Sequence, residues 1–227
     1  KPINQYYVLK VDRIVRDQSD LDYVQSLVDK NPNYFATYQR PELGDFLFSD
    51  ANGDGNLNAD DRVEIGHGDS PRLTFGANLG LTWNNFDFSM LLQGVGDYKV
   101  YYNNQAFRFT TVMGQSLIKD ITDNAWTPEN PYNSIYPRLR NNANSKNNIA
   151  SDAFIHNAAY LRCKNIQLGY TLPKSISQKF FVENLKIYTS IDNLFTITSF
   201  PGLDPEIAAT VGYPAVRQYS LGLNVSF

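Results

Sequence analysis

The chain of 227 residues lacks several features that mark common classes of protein. It has one cysteine, Cys163, which excludes an internal disulfide framework and a cysteine-based zinc site; we expect it to be an apolar filler. No run of 18 apolar residues occurs, so no transmembrane helix is predicted. Lys and Arg number 20 against 23 Asp and Glu, and this net charge of −3 argues against nucleic acid as a partner.

Signatures of catalysis are also missing. The sequence contains no G-x-S-x-G, Walker or dinucleotide-binding glycine pattern. Its two histidines, His67 and His156, lie far apart without metal-like spacing, and we expect both at the surface or in loops. Asp204 and Glu206 form an acidic pair, but their spacing along the chain says nothing about their separation in space. We therefore expect that the protein is not an enzyme.

Aromatic residues are abundant, with 15 Tyr and 14 Phe, and this excludes a disordered chain. Two segments, 73–83 and 218–227, alternate strictly between apolar and polar residues, which predicts β-strands. Each is long enough to cross a bilayer as a tilted strand. Their polar faces carry small neutral residues, which suit the lumen of a membrane barrel, whereas a soluble sandwich usually exposes Lys and Glu.

Four more strands are predicted, and the connections between strands alternate in length. The additional strands are 4–12, 86–94, 160–172 and 185–198. Long connections cover about 13–71, 95–158 and 199–215, and short ones cover 84–85 and 173–184. This asymmetry is typical of outer-membrane barrels, which need at least about eight strands. Because the sequence starts at Lys1 without a signal peptide, we expect it to begin in the middle of a larger barrel.

Residues 50–61 match the D-x-[DN]-x-[DN]-G calcium loop, with Gly55 at the sharp turn. Carboxylate and amide oxygens at alternate positions can surround Ca²⁺, which takes six to eight oxygen ligands. The predicted ligands are Asp50, Asn52, Asp54, Asn56, Asn58 and Asp61. We expect a structural Ca²⁺ that stiffens a long loop, and the alternative is an Asx- and Gly-rich turn that binds nothing.

Aromatic residues concentrate in the long 95–158 connection. They are Tyr101, Tyr102, Phe107, Phe109, Trp126, Tyr132 and Tyr136. Aromatic faces can stack on sugars, which suggests contact with a glycan. The alternative is that these side chains pack the connection onto its neighbours.

Short motifs in a fixed order resemble one known family. They are Gly44-Asp45-Phe46, the loop from Asp50, Asp61-Arg62, Ile65-Gly66, Phe75-Gly76, Gln93-Gly94-Val95-Gly96, Trp126-Thr127-Pro128-Glu129-Asn130-Pro131, Pro137-Arg138, Tyr160-Leu161-Arg162, Lys164 to Pro173, Asn193-Leu194-Phe195-Thr196, Asp204-Pro205-Glu206, Tyr213-Pro214 and the ending Ser220 to Phe227. Each is weak alone, but together they resemble the SusC/RagA-type TonB-dependent transporters of Bacteroidetes outer membranes. Cys163 departs from the family pattern, which more often has Leu there.

The resemblance implies a fold, a location and partners. Members of the family are barrels of about 22 strands with an N-terminal plug. They import glycans or peptides, are energised through TonB and work with a SusD-like surface lipoprotein. By this resemblance, residues 1–227 are the C-terminal part of an all-β, antiparallel transmembrane barrel with its long extracellular loops, and the plug and earlier strands lie outside the chain. Glycan is favoured over peptide as cargo, and the ligand-binding residues stay unknown.

The last strand resembles the C-terminal signal that the barrel-assembly machinery reads. The residues of this predicted signal are Ser220, Gly222, Val225 and Phe227. An alternative for Phe227 is an aromatic girdle residue, and both roles are compatible. Two other functions stay open for the chain: a soluble calcium-binding β-sandwich that binds carbohydrate, and a porin without active transport.

Overall fold

A computed structural model describes residues 5–66, 68, 70–103, 107–110, 117–141, 146–208 and 212–227. The chain divides into two compact units. The aromatic unit comprises residues 1–68 and 100–156, and the sheet unit comprises residues 69–99 and 157–227. In the described ranges, no helix has the length and apolar character needed to cross a membrane. His67 lies outside the described residues.

The described residues form short elements in the aromatic unit and long strands in the sheet unit. In chain order they are β1 (Tyr6–Val8), β2 (Val11–Ile14), α1 (Gln18–Lys30), β3 (Phe46–Phe48), β4 (Val63–Ile65), β5 (Leu73–Trp83), β6 (Phe86–Gly96), β7 (Lys99–Tyr101), α2 (Lys119–Asn124), β8 (Ile155–Asn157), β9 (Tyr160–Thr171), α3 (Lys174–Ser177), β10 (Asn184–Asp192), β11 (Thr196–Thr198) and β12 (Gln218–Ser226). Short 3₁₀ turns occur at Ala59–Asp61, Lys146–Asn148, Asp152–Phe154, Gln178–Phe180 and Pro205–Ile207.

The sheet unit contains a six-stranded antiparallel sheet. Its strand order is β12-β10-β9-β6-β5, and β11 also pairs with β9. Asn84, with a left-handed φ of 51°, and Asn85 form the tight turn that joins β5 to β6. The strands predicted at 73–83, 86–94, 160–172 and 218–227 are confirmed, with β6 extending to Gly96.

Two strand predictions need correction. The predicted strand 4–12 does not join the large sheet, because it divides into β1, which pairs with β4, and β2, which pairs with β3. Its run of apolar residues does not alternate, and Leu9 packs fully buried in the aromatic unit. The predicted strand 185–198 breaks into β10 and β11 at Asn193, whose φ of 52° is incompatible with a continuous strand.

The strand register places the apolar residues of the sheet on one continuous face. Paired residues of neighbouring strands form three rows: Trp83-Phe86-Tyr170-Ile187-Leu223, Leu81-Phe88-Leu168-Thr189-Leu221, and Leu79-Met90-Ile166-Ile191-Tyr219. Leu79 is 50% exposed and Leu223 is 65% exposed, so the apolar side chains of the outer strands β5 and β12 are not buried. An exposed apolar surface of this extent is unusual for a protein surrounded by water.

The opposite face of the sheet is polar, and glycines on it leave room for larger side chains of neighbouring strands. Asp87 and Lys186 form an ion pair of 2.8 Å that passes over Gly169, where a Cβ would collide with both side chains. Tyr188 pairs directly with Gly222, and a Cβ on Gly222 would collide with its ring. These glycines therefore let larger side chains lie flat against the polar face.

The aromatic unit folds around a water-excluding core. Its main cluster consists of Leu9, Ile14, Tyr34, Phe46, Phe48, Leu57, Phe107, Phe109, Ile121, Trp126 and Phe154. The Phe46 and Phe109 rings meet edge to face, with centroids 5.5 Å apart. α1 contributes buried Val24 to a second, smaller cluster with Val15 and Leu47, and Asp17 caps its N-terminus by accepting a hydrogen bond from the Asp20 N–H. The long connections 13–71 and 95–158 thus contribute to a folded core.

The core corrects two expectations about side chains in 95–158. Phe107, Phe109 and Trp126 are buried, so they pack the unit and are not free to stack on a sugar, whereas Tyr132 is exposed. His156 lies in β8, half-buried against the Phe107 ring, rather than at the surface. Burial lowers the pKa of His156, which favours its neutral form.

Candidate functional site

The loop 50–61 closes through hydrogen bonds between its own side chains and backbone. The Asp50 carboxylate accepts from the Gly53 and Gly55 N–H groups at 2.7 and 2.8 Å, and both glycines have left-handed φ, at 76° and 80°. Asn52 Oδ1 accepts from the Asp54 N–H at 2.9 Å, and Asp54 Oδ1 accepts from the Asn56 N–H at 2.8 Å. The alternation of Asp and Asn therefore builds successive Asx turns.

Asp61 fastens the two ends of this loop together. It is fully buried, and its carboxylate accepts from the Ala51 N–H at 2.9 Å and from the Asn58 N–H at 2.8 Å. Asn58 in turn caps the 3₁₀ turn by accepting from the Asp60 N–H at 2.7 Å. These bonds give Asp61 and Asn58 a structural role at the base of the loop.

The predicted calcium ligands meet only part of what Ca²⁺ requires. They offer carboxylate and amide oxygens, the donors that Ca²⁺ prefers. Within the described residues, however, no group of three or more His, Cys, Asp or Glu side chains is placed to hold a metal ion. The carboxylates of Asp50 and Asp61 are directed to backbone N–H groups of the loop. Calcium binding by the six residues stays a prediction.

A cleft of about 340 Å³ opens beside this loop in the aromatic unit. We name it the Tyr34 cleft, and it is lined among others by Asp12, Leu27, Tyr34, Leu47, Phe48 and Asp50. Tyr34 is only 6% exposed, and its ring meets Phe35 edge to face with the ring centroids 4.7 Å apart. Burial and the nearby Asp50 carboxylate raise the pKa of Tyr34 to about 12, so its hydroxyl stays protonated.

A buried carboxylate, Asp45, organises a second part of the aromatic unit. It receives two hydrogen bonds from the Arg140 guanidinium, at 2.8 and 2.6 Å, and lies 3.1 Å from Lys146 Nζ. Asn147 Nδ2 donates to it at 3.1 Å. Burial acts to raise the pKa of Asp45, but Arg140, the Glu42 N–H and Lys146 outweigh it, so the pKa lies below its ordinary value.

Three of the sequence motifs meet next to Asp45. Gly44 has a left-handed φ of 85°, and a Cβ there would collide with the Trp126 ring and with Arg138. The Arg138 N–H donates to the Gly44 carbonyl at 2.6 Å, and the Trp126 N–H donates to the Tyr136 carbonyl at 2.9 Å. Gly44-Asp45-Phe46, the Trp126 motif and Pro137-Arg138 therefore act together in holding the fold.

The sheet unit has its own buried ion-pair network, centred on Arg162. Arg162 is 3% exposed, and its guanidinium contacts Asp204 Oδ1 and Glu206 Oε2 at 2.6 Å each. Tyr160 donates to Glu206 Oε1 at 2.8 Å, and the Ala215 N–H donates to Asp204 Oδ2 at 2.8 Å. The network fixes Asp204 and Glu206, which follow β11 in the chain, onto strand β9.

A β-bulge explains how Arg162 reaches this position. The register between β6 and β9 shifts after Leu91 pairs with Asn165, since Leu92 then pairs with Cys163. Lys164 is the extra residue, and it moves Arg162 onto the same polar face as Asn165. Cys163 falls on the apolar side, where it is a buried free cysteine as expected. The sequence motif marked Arg162 and Asp204, but the bulge that brings them together has no signal in the residue pattern.

The predicted assembly-signal residues lie along and just beyond β12. Ser220 and Gly222 pair with Ser190 and Tyr188 on the polar face. Val225 pairs with Leu185. Phe227 follows the strand and is almost fully exposed.

Comparisons with known proteins agree on one family. No family model matches the sequence. The chain is 32% identical over 203 residues to TonB-dependent receptor P3 of Formosa agariphila, covering 81% of the chain and 19% of that receptor. It is 28% identical over 236 residues to TonB-dependent receptor SusC of Bacteroides thetaiotaomicron, covering 99% of the chain and 22% of SusC.

A solved structure shares the fold. The structure of the RagAB peptide transporter matches with a TM-score of 0.71 at 24% identity, covering 99% of this chain and 23% of that chain. The names of these three proteins describe receptors and a transporter, not enzymes. The predicted all-β antiparallel fold class is confirmed. The chain spans about a fifth of the length of the curated relatives that it matches. It belongs to the SusC/RagA-type TonB-dependent transporters.

Proposed function

We propose that the chain forms part of the barrel wall and the extracellular loops of an outer-membrane nutrient importer. The observation that carries this proposal is the continuous apolar face of the six-stranded sheet, which is exposed on β5 and β12. Hydrocarbon is the solvent that such a face suits, while the small and polar residues of the other face suit a lumen. Similarity to TonB-dependent receptors supports the same location.

The proposed partners follow from the family. Transport is energised by TonB, which engages parts of the protein outside this chain, and a SusD-like surface lipoprotein covers the extracellular side. The connections 13–71, 95–158 and 199–215 are the extracellular loops. In this arrangement the aromatic core and the Arg162 network give the loops a fixed shape on which cargo and lipoprotein can dock.

The proposed cargo is a glycan or an oligopeptide. The aromatic residues of 95–158 gave one reason to favour glycans, and burial of Phe107, Phe109 and Trp126 removes most of it. Peptide transport is named for RagAB, whose structure shares the fold. The growth experiment therefore includes both oligosaccharides and oligopeptides.

The proposal is tested in cells that carry the full-length protein. A deletion strain is grown on single oligosaccharides or oligopeptides as the limiting nutrient, with and without a TonB deletion. We expect growth on at least one cargo to require both genes, and the protein to fractionate with the outer membrane. Growth independent of TonB supports a porin instead, and recovery of the protein without detergent supports the calcium-binding β-sandwich.

We also propose that loop 50–61 holds a structural Ca²⁺ in the importer. Support comes from oxygen-bearing side chains at alternate positions and from Gly55 at the turn. The ion would reduce repulsion between Asp50 and Asp54 and stiffen the exposed part of the loop.

A further inference from the structure

We infer that His156 is an acid-sensitive switch in the aromatic unit: protonation of its imidazole weakens the packing of β8 against the aromatic core and opens the connection 95–158. This inference concerns the folding of the unit and goes beyond the proposed function. In the proposed importer, the same change would alter the shape of the extracellular loops in acid, and only that consequence rests on the proposed function.

β8 brings His156 into contact with the core of the aromatic unit. The strand pairs with β7, and the Tyr102 N–H donates to the Phe154 carbonyl at 2.8 Å. Phe154, two residues before His156, is fully buried in the main cluster. The imidazole ring lies against the Phe107 ring, with centroids 5.5 Å apart, and against the Tyr102 ring at 6.3 Å. A change in the charge of His156 therefore acts directly on the packing of this core.

The Nε2 atom of His156 is buried and has no hydrogen-bond partner in the described part of the chain. A neutral imidazole tolerates this position, because one of its two ring nitrogens carries no proton. Protonation turns both nitrogens into N–H donors and adds a positive charge. The Nε2–H group of the imidazolium would then be shielded from solvent without an acceptor, which costs free energy. The folded unit is therefore suited to neutral His156.

The charged and titratable groups around His156 supply no counter-charge. Tyr102 is the titratable group whose ring contacts it. Asp152, in the 3₁₀ turn before β8, accepts from a backbone N–H of β2 at 2.9 Å. Arg108 donates to an asparagine of its own loop at 3.1 Å, and Lys99 on β7 is exposed. Burial is the one cause of the lowered pKa of His156, so none of these charges acts on it.

The aromatic rings around His156 act in the opposite direction, because the face of a ring attracts a cation. The Phe107 and Tyr102 rings stand at 64° and 82° to the imidazole. The attraction of an imidazolium to such rings is weaker than the loss of hydration that its burial causes. Acid is therefore expected to destabilise the unit.

The pH range follows from the sign of this effect. A histidine whose folded-state pKa lies below its unfolded value of about 6.5 gives its full stabilisation above that value. The stabilisation is lost as the pH falls from there through the folded pKa, because the opened unit binds the proton more tightly. The population of the opened unit rises about tenfold for each unit by which the two pKa values differ.

The first test follows hydrogen–deuterium exchange at the C2 carbon of each histidine ring by mass spectrometry, between about pH 4 and 9. It uses the detergent-solubilised full-length protein, and the peptide that contains His156 reports this residue separately from all other histidines. We expect the exchange midpoint of His156 to lie below that of the same protein unfolded in urea. A midpoint equal to or above the unfolded value overturns the inference.

The second test measures cleavage within 95–158 by papain, relative to cleavage of an unfolded standard at each pH. We expect cleavage of the wild-type protein to rise about threefold or more between pH 7.5 and 5. His156→Phe keeps an aromatic ring against Phe107 and removes the titration, so its profile should be flat. His67→Gln, which changes the other histidine of the chain, is the control and should keep the rise. A flat wild-type profile, or the same rise in His156→Phe, overturns the inference.

A further variant and a further criterion guard against misfolding of His156→Phe. His156→Gln is smaller and also does not titrate, so its profile should be flat as well. If both variants are cleaved rapidly at every pH, the wild-type protein decides: its cleavage must level off at the exchange midpoint of His156, and a rise at another pH overturns the inference. Neither test requires transport, so their failure is distinguishable from failure of the importer proposal.

Discussion

The two compact units use apolar side chains in opposite ways. In the sheet unit, Leu79 and Leu223 direct exposed hydrocarbon outward from β5 and β12. In the aromatic unit, Leu9 and Phe154 are completely buried in a dense cluster of rings. The aromatic unit therefore gains stability from the hydrophobic effect within itself, while the sheet unit leaves apolar side chains of one face exposed.

This difference teaches that overall composition cannot decide between a membrane protein and a water-soluble one. The chain has 42% hydrophobic residues, a value that fits either class. The two classes differ instead in the direction of their apolar side chains. This direction is set by strand register in the sheet unit and by long-range packing in the aromatic unit. Variants that damage one unit and leave the other intact test whether the two units are stabilised in these different ways.

The largest effect is expected from Phe154→Ala in the aromatic unit. Removing a fully buried phenylalanine costs about 3–5 kcal/mol, because a cavity remains among the surrounding rings. We expect rapid proteolysis of 13–71 and 95–158 in the full-length protein, while the barrel keeps its resistance to detergent at room temperature. Tyr132→Ala, at an exposed position, is the control. Loss of both properties together would show that the two units are not independent.

The next largest effect is expected from Leu79→Lys or Leu223→Lys in the sheet unit. A lysine on the lipid-facing side near the middle of the bilayer costs about 2–4 kcal/mol. We expect less folded protein in the outer membrane, measured by the heat-modifiable shift in gel mobility. Asn78→Lys places the same charge on the polar face of β5 and should be milder. Equal damage on the two faces would contradict the barrel.

The sequence predicted the sheet unit better than the aromatic unit, because strand register is a local property and core packing is a long-range one. β5 was predictable because alternation over 73–83 is a local signal, and the structure has this strand with the same bounds. The core of the aromatic unit was not predictable, because rings such as Phe46 and Phe109 come together from distant segments whose patterns are not periodic. The resemblance to a family identified the right protein class without showing this core.

The candidate sites follow the same division. The turns of loop 50–61 were predictable, since Asp50 and Gly55 bond within five residues. The Asp45 network was not predictable, because Arg140 lies 95 residues away and the motif that contains Asp45 does not indicate this partner. The Tyr34 cleft likewise requires the tertiary structure.

A smaller effect is expected from Asp204→Asn, which tests the network that fixes 199–217. Burial acts to raise the pKa of Asp204, but hydrogen bonds from Ala215 and Arg162 outweigh it and lower the pKa. A lowered folded-state pKa means that the stabilisation is present above the ordinary aspartate value of about 4 and is lost as the pH falls through the folded pKa. Losing the charge costs about 1.5–3 kcal/mol of local stability.

Pepsin cleavage between about pH 4.5 and 2 measures this loss. We expect cleavage within 199–217 to rise steeply in the wild-type protein as the pH falls, beyond the change in pepsin activity on an unfolded standard. In Asp204→Asn it should be high throughout. Asp123→Asn, which removes an exposed partner of Lys119, should behave as the wild type. A flat wild-type profile would mean that the network does not control this connection.

Calcium should have a local effect of about 1.4 kcal/mol at a tenfold excess over its dissociation constant. We expect calcium to slow proteolysis of loop 50–61 relative to a chelator, and we expect Asp50→Ala with Asp54→Ala to abolish that difference. Asp60→Ala is the control, since Asp60 is not a predicted ligand. The calcium response is the readout because Asp50→Ala also removes two backbone hydrogen bonds. A wild-type loop indifferent to calcium would show that these bonds alone hold it.

The smallest effect on stability is expected from Phe227→Ala, within about 0.5 kcal/mol, because Phe227 is 92% exposed. If the assembly machinery reads this residue, folded protein in the outer membrane should nevertheless decrease. Phe181→Ala is a matched control, since Phe181 is 93% exposed in the same unit but does not belong to the predicted assembly signal. A reduced yield for Phe227→Ala alone, with unchanged thermal stability of the folded fraction, separates recognition from packing. Equal yields of the two variants would assign Phe227 no role in assembly.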